Sequence, residues 1–415
     1  MNWKRRTAQL AAATLAAGLG AGAAAAQDAP IKFGLLQDFT AVYTFVSGEY
    51  NQGQQDYLAL VNAEGGVEGH MVEAIVRDHG NQPQRGIEAY NRARADGAIL
   101  FDFFSTPVSR ALVDQVMKDK VVLITALHGR GDASDGEVFP YVFPMMATYW
   151  SQSTVLINYL KDNGGLEGKK IALVHIDSPF GKEPLPVLTE LASQEGFELQ
   201  AFPYASPGNE QSATWSEVRR YKPDAVLIWG AGGGQSVSVR EAIRNGIDPE
   251  NILSVVWLAG TDARNVGVDV MTGVKRFEAV SSGTEPAIIQ RILEKVVEPG
   301  NGAGDKANVG SSYYNIGVAS MAVSVEAARL ALKSEGAPLD GTKLKAGFEQ
   351  IKDFDAEGLM PKITITPADH QGGGAGRVSR WNGEAWEPVS EWGAAYQDVV
   401  WKEIAEGAAA YKKGD

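Results

Sequence analysis

Five histidines, at positions 70, 79, 128, 175 and 370, and no cysteine set the limits of metal and nucleophile chemistry in this chain. No two histidines share a helix at ligand spacing, and no H-E-x-x-H occurs, so a mononuclear zinc site lacks its donors. Without cysteine there are no disulfides, thiolate sites or lipidated N-terminal cysteine. G-x-S-x-G and G-x-x-x-x-G-K-[ST] are both missing, which removes the usual settings of a hydrolase serine and an ATP phosphate cradle. The run Gly230-Ala231-Gly232-Gly233-Gly234 follows a strand pattern and opens a helix, where a dinucleotide fingerprint would sit, but Gln235 replaces the last glycine. It reads better as a loop lining the crevice of an open α/β sheet, where glycine lets backbone approach a ligand.

The polar loops suggest binding. Phe104-Ser105-Thr106-Pro107 stands between a strand pattern and a helix. Ser105 or Thr106 would cap that helix, and hydroxyls beside free helix N–H groups would equally seat a carboxylate. Leu127-His128-Gly129-Arg130 and Asp177-Ser178-Pro179-Phe180-Gly181 follow two further strand patterns. For His128 and Arg130 a solvated loop is the plainer reading.

The elements that position these loops alternate. Short β-branched runs fall at 31–36, 71–77, 98–103, 121–125, 170–176, 197–202, 225–229, 252–258 and 277–281. Amphipathic stretches fall at 50–64, 83–96, 110–118, 148–163, 186–195, 212–221, 235–245 and 313–334, several ending at glycine. Strand–helix alternation predicts parallel sheets covered by helices, and a break at 143–149 predicts two of them. Alternating stretches at 363–366 and 377–381 flank Gly372-Gly373-Gly374 and predict a hairpin or crossover turn. Residues 392–413 read as a terminal helix or tail.

The chain has 415 residues and a formal charge of −13. It lacks the basic footprint of a nucleic-acid binder and suits an anionic membrane surface poorly. Lys4, Arg5 and Arg6 precede an apolar, Ala-rich stretch and Ala24-Ala25-Ala26, the pattern of a secretory signal cleaved near Ala26. Cleavage would take the charge from −13 to −16. No later stretch reads as long and apolar enough to span a bilayer.

Several segments resemble a known family in order and spacing. Ile31-Lys32-Phe33-Gly34-Leu35-Leu36 resembles its first strand. Asn62-Ala63-Glu64-Gly65-Gly66-Val67 with Gly69 resembles the N-x-x-G-G-[IV]-x-G end of its first helix. Arg77-Asp78 before Pro83, the D-x-x-[YF]-G of Asp177–Gly181, and the K-P-D-x-[VI] of Lys222–Val226 continue the likeness. The family is that of type I periplasmic solute-binding proteins, in the branch serving ABC transporters of branched-chain and other hydrophobic amino acids and amides.

The resemblance implies two doubly wound α/β lobes joined by three crossings, closing on a ligand by a hinge. It implies a periplasmic receptor, with no catalysis and no cofactor, that hands a small solute to a membrane permease and its ATPase as a monomer. A sensor component using the same cleft is the alternative. The expected division is a leader over 1–26, one lobe of 27–145 plus 283–355, a second of 146–282 plus 356–390, and a C-terminal helix or tail over 391–415. Thr106, beside Ser105, stands where relatives hold the ligand carboxylate, with Leu127, His128 and Gly129 on the next loop. Phe180 keeps a ring where relatives have tyrosine. Gly232 and Gly233 stand where relatives place an aromatic, and Asp262 is the candidate for a ligand ammonium group. Phe45, Phe104 and Phe180 favour a flat or apolar ligand, which keeps amine-free aromatic carboxylates open beside amino acids. Arg130 is a further candidate donor to a carboxylate.

Overall fold

The computed structural model describes residues 29–414; the expected leader lies outside them. The first sheet is parallel, with order β2-β1-β3-β4-β5. Its strands are β1 (Ile31–Gln37), β2 (Val72–Asp78), β3 (Leu100–Asp102), β4 (Val122–Ile124) and β5 (Val142–Phe143). Helices α1 (Thr44–Ala63), α2 (Pro83–Ala95) and α3 (Thr106–Asp119) connect them. After α4 (Tyr149–Gly164) the chain builds a second sheet from β6 (Lys170–Ile176), β7 (Glu198–Tyr204), β8 (Ala225–Trp229), β9 (Ile252–Ser254) and β10 (Lys275–Glu278). Helices α5 (Pro179–Lys182), α6 (Leu185–Glu195), α7 (Ser212–Tyr221), α8 (Gly232–Arg244) and α9 (Gly260–Val266) lie between these strands. Then come α10 (Ala287–Ile292), α11 (Ser312–Glu335) and α12 (Gly341–Phe348), then β11 (Arg377–Trp381), β12 (Trp386–Pro388) and α13 (Gln397–Lys413).

The second sheet runs β12-β11-β10-β9-β8-β6-β7. β6 to β10 pair in parallel, and β11 and β12 add an antiparallel edge. The chain thus crosses between the sheets three times: after β5, after β10 and before β11. This is the two-sheet α/β architecture that the alternation predicted, with inner strands such as β4 and β8 buried on both faces as parallel sheets require.

Three local expectations are corrected. Residues 363–366 form no strand. They make only isolated bridges, Phe354 with Ile363 and Thr366 with Asp369. β11 pairs instead with β10 and β12, so Gly372–Gly374 is not a hairpin turn; Asp369 holds it by accepting the N–H groups of Gln371, Gly372 and Gly373. The glycine run after β8 also differs: Gly232 to Gly234 form the first turn of α8 rather than a loop before it. Finally, α11 is long and apolar enough by composition to cross a membrane, contrary to the expectation for the later chain. Its most apolar window is 83% buried inside the protein. It crosses α1 so closely that a Cβ on Gly53 would meet the Tyr314 carbonyl oxygen at 2.1 Å, and one on Gly317 that of Tyr50 at 2.1 Å.

The C-terminal segment forms a helix that touches both halves. Val399, Val400 and Ile404 of α13 join the main core, whereas Ala408 joins the smaller cluster under the first sheet. Lys402 pairs with Glu190 of α6. Tyr411 packs on Phe139 and lies under the Arg130 guanidinium.

Candidate functional site

The loops at the carboxyl ends of the strands face one another across the two sheets and enclose a small cavity of about 20 Å³. Tyr43, Phe45, Val46, Phe104, Ser105, Thr106 and His128 line it from the first sheet. Tyr149, Phe180, Ala231 and Trp257 line it from the second.

On the first side, the buried Asp38 carboxylate accepts the N–H groups of Thr40, Ala41 and Tyr43 at 3.2, 2.7 and 2.8 Å. This folds the turn after β1 and presents Tyr43 and Phe45 at the start of α1. Phe104 follows β3 in a left-handed conformation, φ 45°. For a bulky residue that geometry is strained and persists only where its surroundings enforce it. Asp102 supplies the enforcement: it accepts the Phe104 N–H at 2.9 Å, the Tyr50 hydroxyl at 2.7 Å and Gln54 Nε2 at 2.8 Å. The Phe104 ring stacks on Tyr50 with centroids 4.0 Å apart. Burial raises the Asp102 pKa to about 6 against its hydrogen bonds.

Ser105 caps α3 through the Val108 N–H, as expected, and its hydroxyl donates to Asn81 Oδ1 at 2.6 Å. Thr106 Oγ1 accepts the Gly129 N–H at 3.3 Å. His128 is buried, and burial lowers its pKa to about 4, so the ring is neutral at pH 7. Its Nδ1 lies 2.9 Å from the Ala126 carbonyl oxygen, which only accepts. Nδ1 therefore carries the proton and Nε2 the lone pair, which faces Ser109 Oγ at 3.4 Å.

The second side is a wall of rings. Trp257 Nε1 donates to the Tyr149 hydroxyl at 2.7 Å, and Tyr149 packs on Phe180 with centroids 5.1 Å apart. Trp257 meets Phe104 edge-on at 5.3 Å. Tyr149 and Thr106 line the same cavity from opposite halves. Beside the cavity, Glu183 ties the halves together: its carboxylate accepts Arg110 Nη2 at 2.6 Å and the Gly131 N–H at 2.7 Å.

The structure brings Phe45, Phe104, Ser105, Thr106, His128 and Phe180 to this cavity and leaves six other candidates off its wall. Leu127 is core, at φ 60°. Gly129 acts through its N–H on Thr106. Gly232 and Gly233 stand behind the cavity, and Gly232 has φ 60°. The room that Gly232 frees is taken by Phe45, whose Cδ1 would stand 2.7 Å from a Cβ there. Asp262 caps α9, accepting the Ala259 N–H at 2.8 Å and the Ser236 hydroxyl at 2.6 Å. Arg130, too, is turned away; it pairs with Asp132 and covers Phe139. Tyr43, Val46, Tyr149, Ala231 and Trp257 were missed. Trp257 sits within a continuous apolar run that reads as one strand to 258, but β9 ends at Ser254.

A family model described as periplasmic binding protein matches residues 30–385. A crystal structure described as an ABC transporter permease from the Pseudomonas fluorescens group is 35% identical, covers 93% of this chain and 97% of that chain, and has a TM-score of 0.86. A branched-chain amino acid ABC transporter from Thermus thermophilus with bound valine shares the fold at 18% identity, covering 90% and 98% of the two chains, with a TM-score of 0.77. The Leu/Ile/Val-binding protein BraC3 of Rhizobium johnstonii is 23% identical over 245 residues, 57% of this chain and 65% of that relative's length.

Proposed function

This chain belongs to the periplasmic binding protein family, and from that premise we propose that it is the solute receptor of an ABC importer. The family works outside the cytoplasm. The proposed lobes are 27–145 with 283–355, and 146–282 with 356–390, swinging about the three crossings to enclose a small hydrophobic solute that carries a carboxylate. The carrying observation is that one cavity takes its wall from both sheets, so only the approach of the two halves completes it. Hydrophobic amino acids, the ligands named for relatives, are one class; amides and amine-free acids share its apolar character. Glu183 on Arg110 and Gly131 would hold the closed form that a permease reads. Export through cleavage near Ala26, action as a monomer, delivery to a permease with its ATPase, and the absence of catalysis complete the reading.

The test is calorimetric titration and X-ray scattering of the protein from residue 27 onward, with branched-chain and aromatic amino acids, short amides and benzoate-type acids. We expect one solute per chain, a smaller radius of gyration on saturation, and recovery of the solute chemically unchanged. A solute converted to product, or no saturable binding across the panel, would overturn the proposal.

A further inference from the structure

Among the described residues, the side chains lining the cavity include no aspartate, glutamate, lysine or arginine. The acids nearest in the fold are engaged elsewhere. Asp102 holds Tyr50, Gln54 and the Phe104 N–H, and Asp262 caps α9 and takes Ser236. Glu49 accepts the Ser311 hydroxyl. With no charged side chain of either sign on the wall, a ligand's charge must be met by hydrogen bonds alone: an ammonium group needs acceptors there, a carboxylate needs donors.

The polar groups that do face the cavity are biased toward donation. Thr106 Oγ1 already accepts the Gly129 N–H, and the Tyr149 hydroxyl already accepts Trp257 Nε1–H. Each keeps its own proton to give. The two hydroxyls line the cavity from opposite halves, so a ligand oxygen between them would collect both protons. Thr106 is also the first residue of α3, whose N-terminal dipole favours negative charge there. The one imidazole lone pair on the wall, His128 Nε2, is taken by Ser109. Around this donor end stand the rings of Phe45, Phe104, Phe180 and Trp257, which leave little room until the two halves part.

Resting on the receptor reading above, we propose that the site selects small monocarboxylates with a flat or branched apolar body and no amine, and rejects the α-amino acids of the same shape. The carboxylate lies between Thr106 and Tyr149, and the body lies among the rings. Asp262 takes no part in binding.

Matched pairs test this: 3-phenylpropanoate against phenylalanine, 4-methylpentanoate against leucine, and 3-methylbutanoate against valine, each titrated calorimetrically into the wild-type protein. The expected result is at least a 100-fold preference for the amine-free member of the best-bound pair. Thr106→Val and Tyr149→Phe should each weaken that member tenfold or more while the melting temperature of the empty protein stays within a few degrees. A carboxamide of the same body should bind more weakly than the acid. Equal or tighter binding of the amino acid overturns the selectivity and leaves the receptor reading standing. No binding by either member of any pair overturns both. Equal binding of acid and carboxamide, or unchanged affinity in both variants, overturns the carboxylate seat.

Discussion

Two buried aspartates stand one layer behind the cavity, one in each half, and they do opposite things. Asp102 ends β3 and reaches forward: its oxygens hold Tyr50, Gln54 and the N–H of Phe104, a residue of the cavity wall. Asp262 sits in the first turn of α9 and reaches back to Ala259 and Ser236, off the wall. Burial raises the pKa of both. In sequence each is an acid near the end of a strand, and Asp262 looked the better ligand group. The difference is one of partners: a carboxylate that finishes its own helix has no oxygen turned to the cleft, whereas one that holds a strained loop residue shapes the site without touching a ligand.

The sharpest way to break this contrast is to remove each acid. Asp102→Ala strands three buried donors, and we expect a loss of about 3–5 kcal/mol in urea unfolding, with weaker solute binding as Phe104 is released. If the variant unfolds at the wild-type urea midpoint, Asp102 is not the support described.

The next effect is a pH dependence. A carboxyl raised to about 6 in the folded protein adds stability below its unfolded pKa near 3.8, and that stability is lost as pH rises through 6. By the usual conversion this amounts to about 3 kcal/mol. His128 has the opposite sign: lowered to about 4, it adds stability above pH 6.5 that is lost as pH falls through 4. The two offset each other in the wild type. The wild-type-minus-Asp102→Asn difference in unfolding free energy should therefore fall between pH 4 and pH 6; a difference that rises or stays level contradicts the assignment.

The smallest effect is that of Asp262→Ala, which should cost about 1–2 kcal/mol, the value of a helix cap with one further hydrogen bond. Solute affinity should stay within threefold. A larger loss of affinity than of stability would return Asp262 to the site.

Much of the frame was legible because helix and strand periods are local. The alternation announced two sheets, and the loops after β3, β4 and β6 carried Phe104, Thr106, His128 and Phe180 to the cavity. What stayed hidden depends on distant partners. Tyr149 looked like any residue opening a helix until Trp257, more than a hundred positions away, gave its hydroxyl an N–H. Gly232 stood where relatives place an aromatic, but the space beside it is filled by Phe45 from α1. The edge strand β11 was visible, yet its partner was misjudged, since 363–366 alternates as well as 386–388 and register between strands is set by tertiary contacts.

The helix α13 bears on how the protein melts. Its 17 residues span about 25 Å, at the usual rise per residue. Its leading turns belong to the main core and its trailing turns to the cluster beneath the first sheet. Neither cluster can lose its packing without stripping one end of this helix. The chain's last long element thus acts as a splint that joins two hydrophobic cores into one cooperative unit of unfolding.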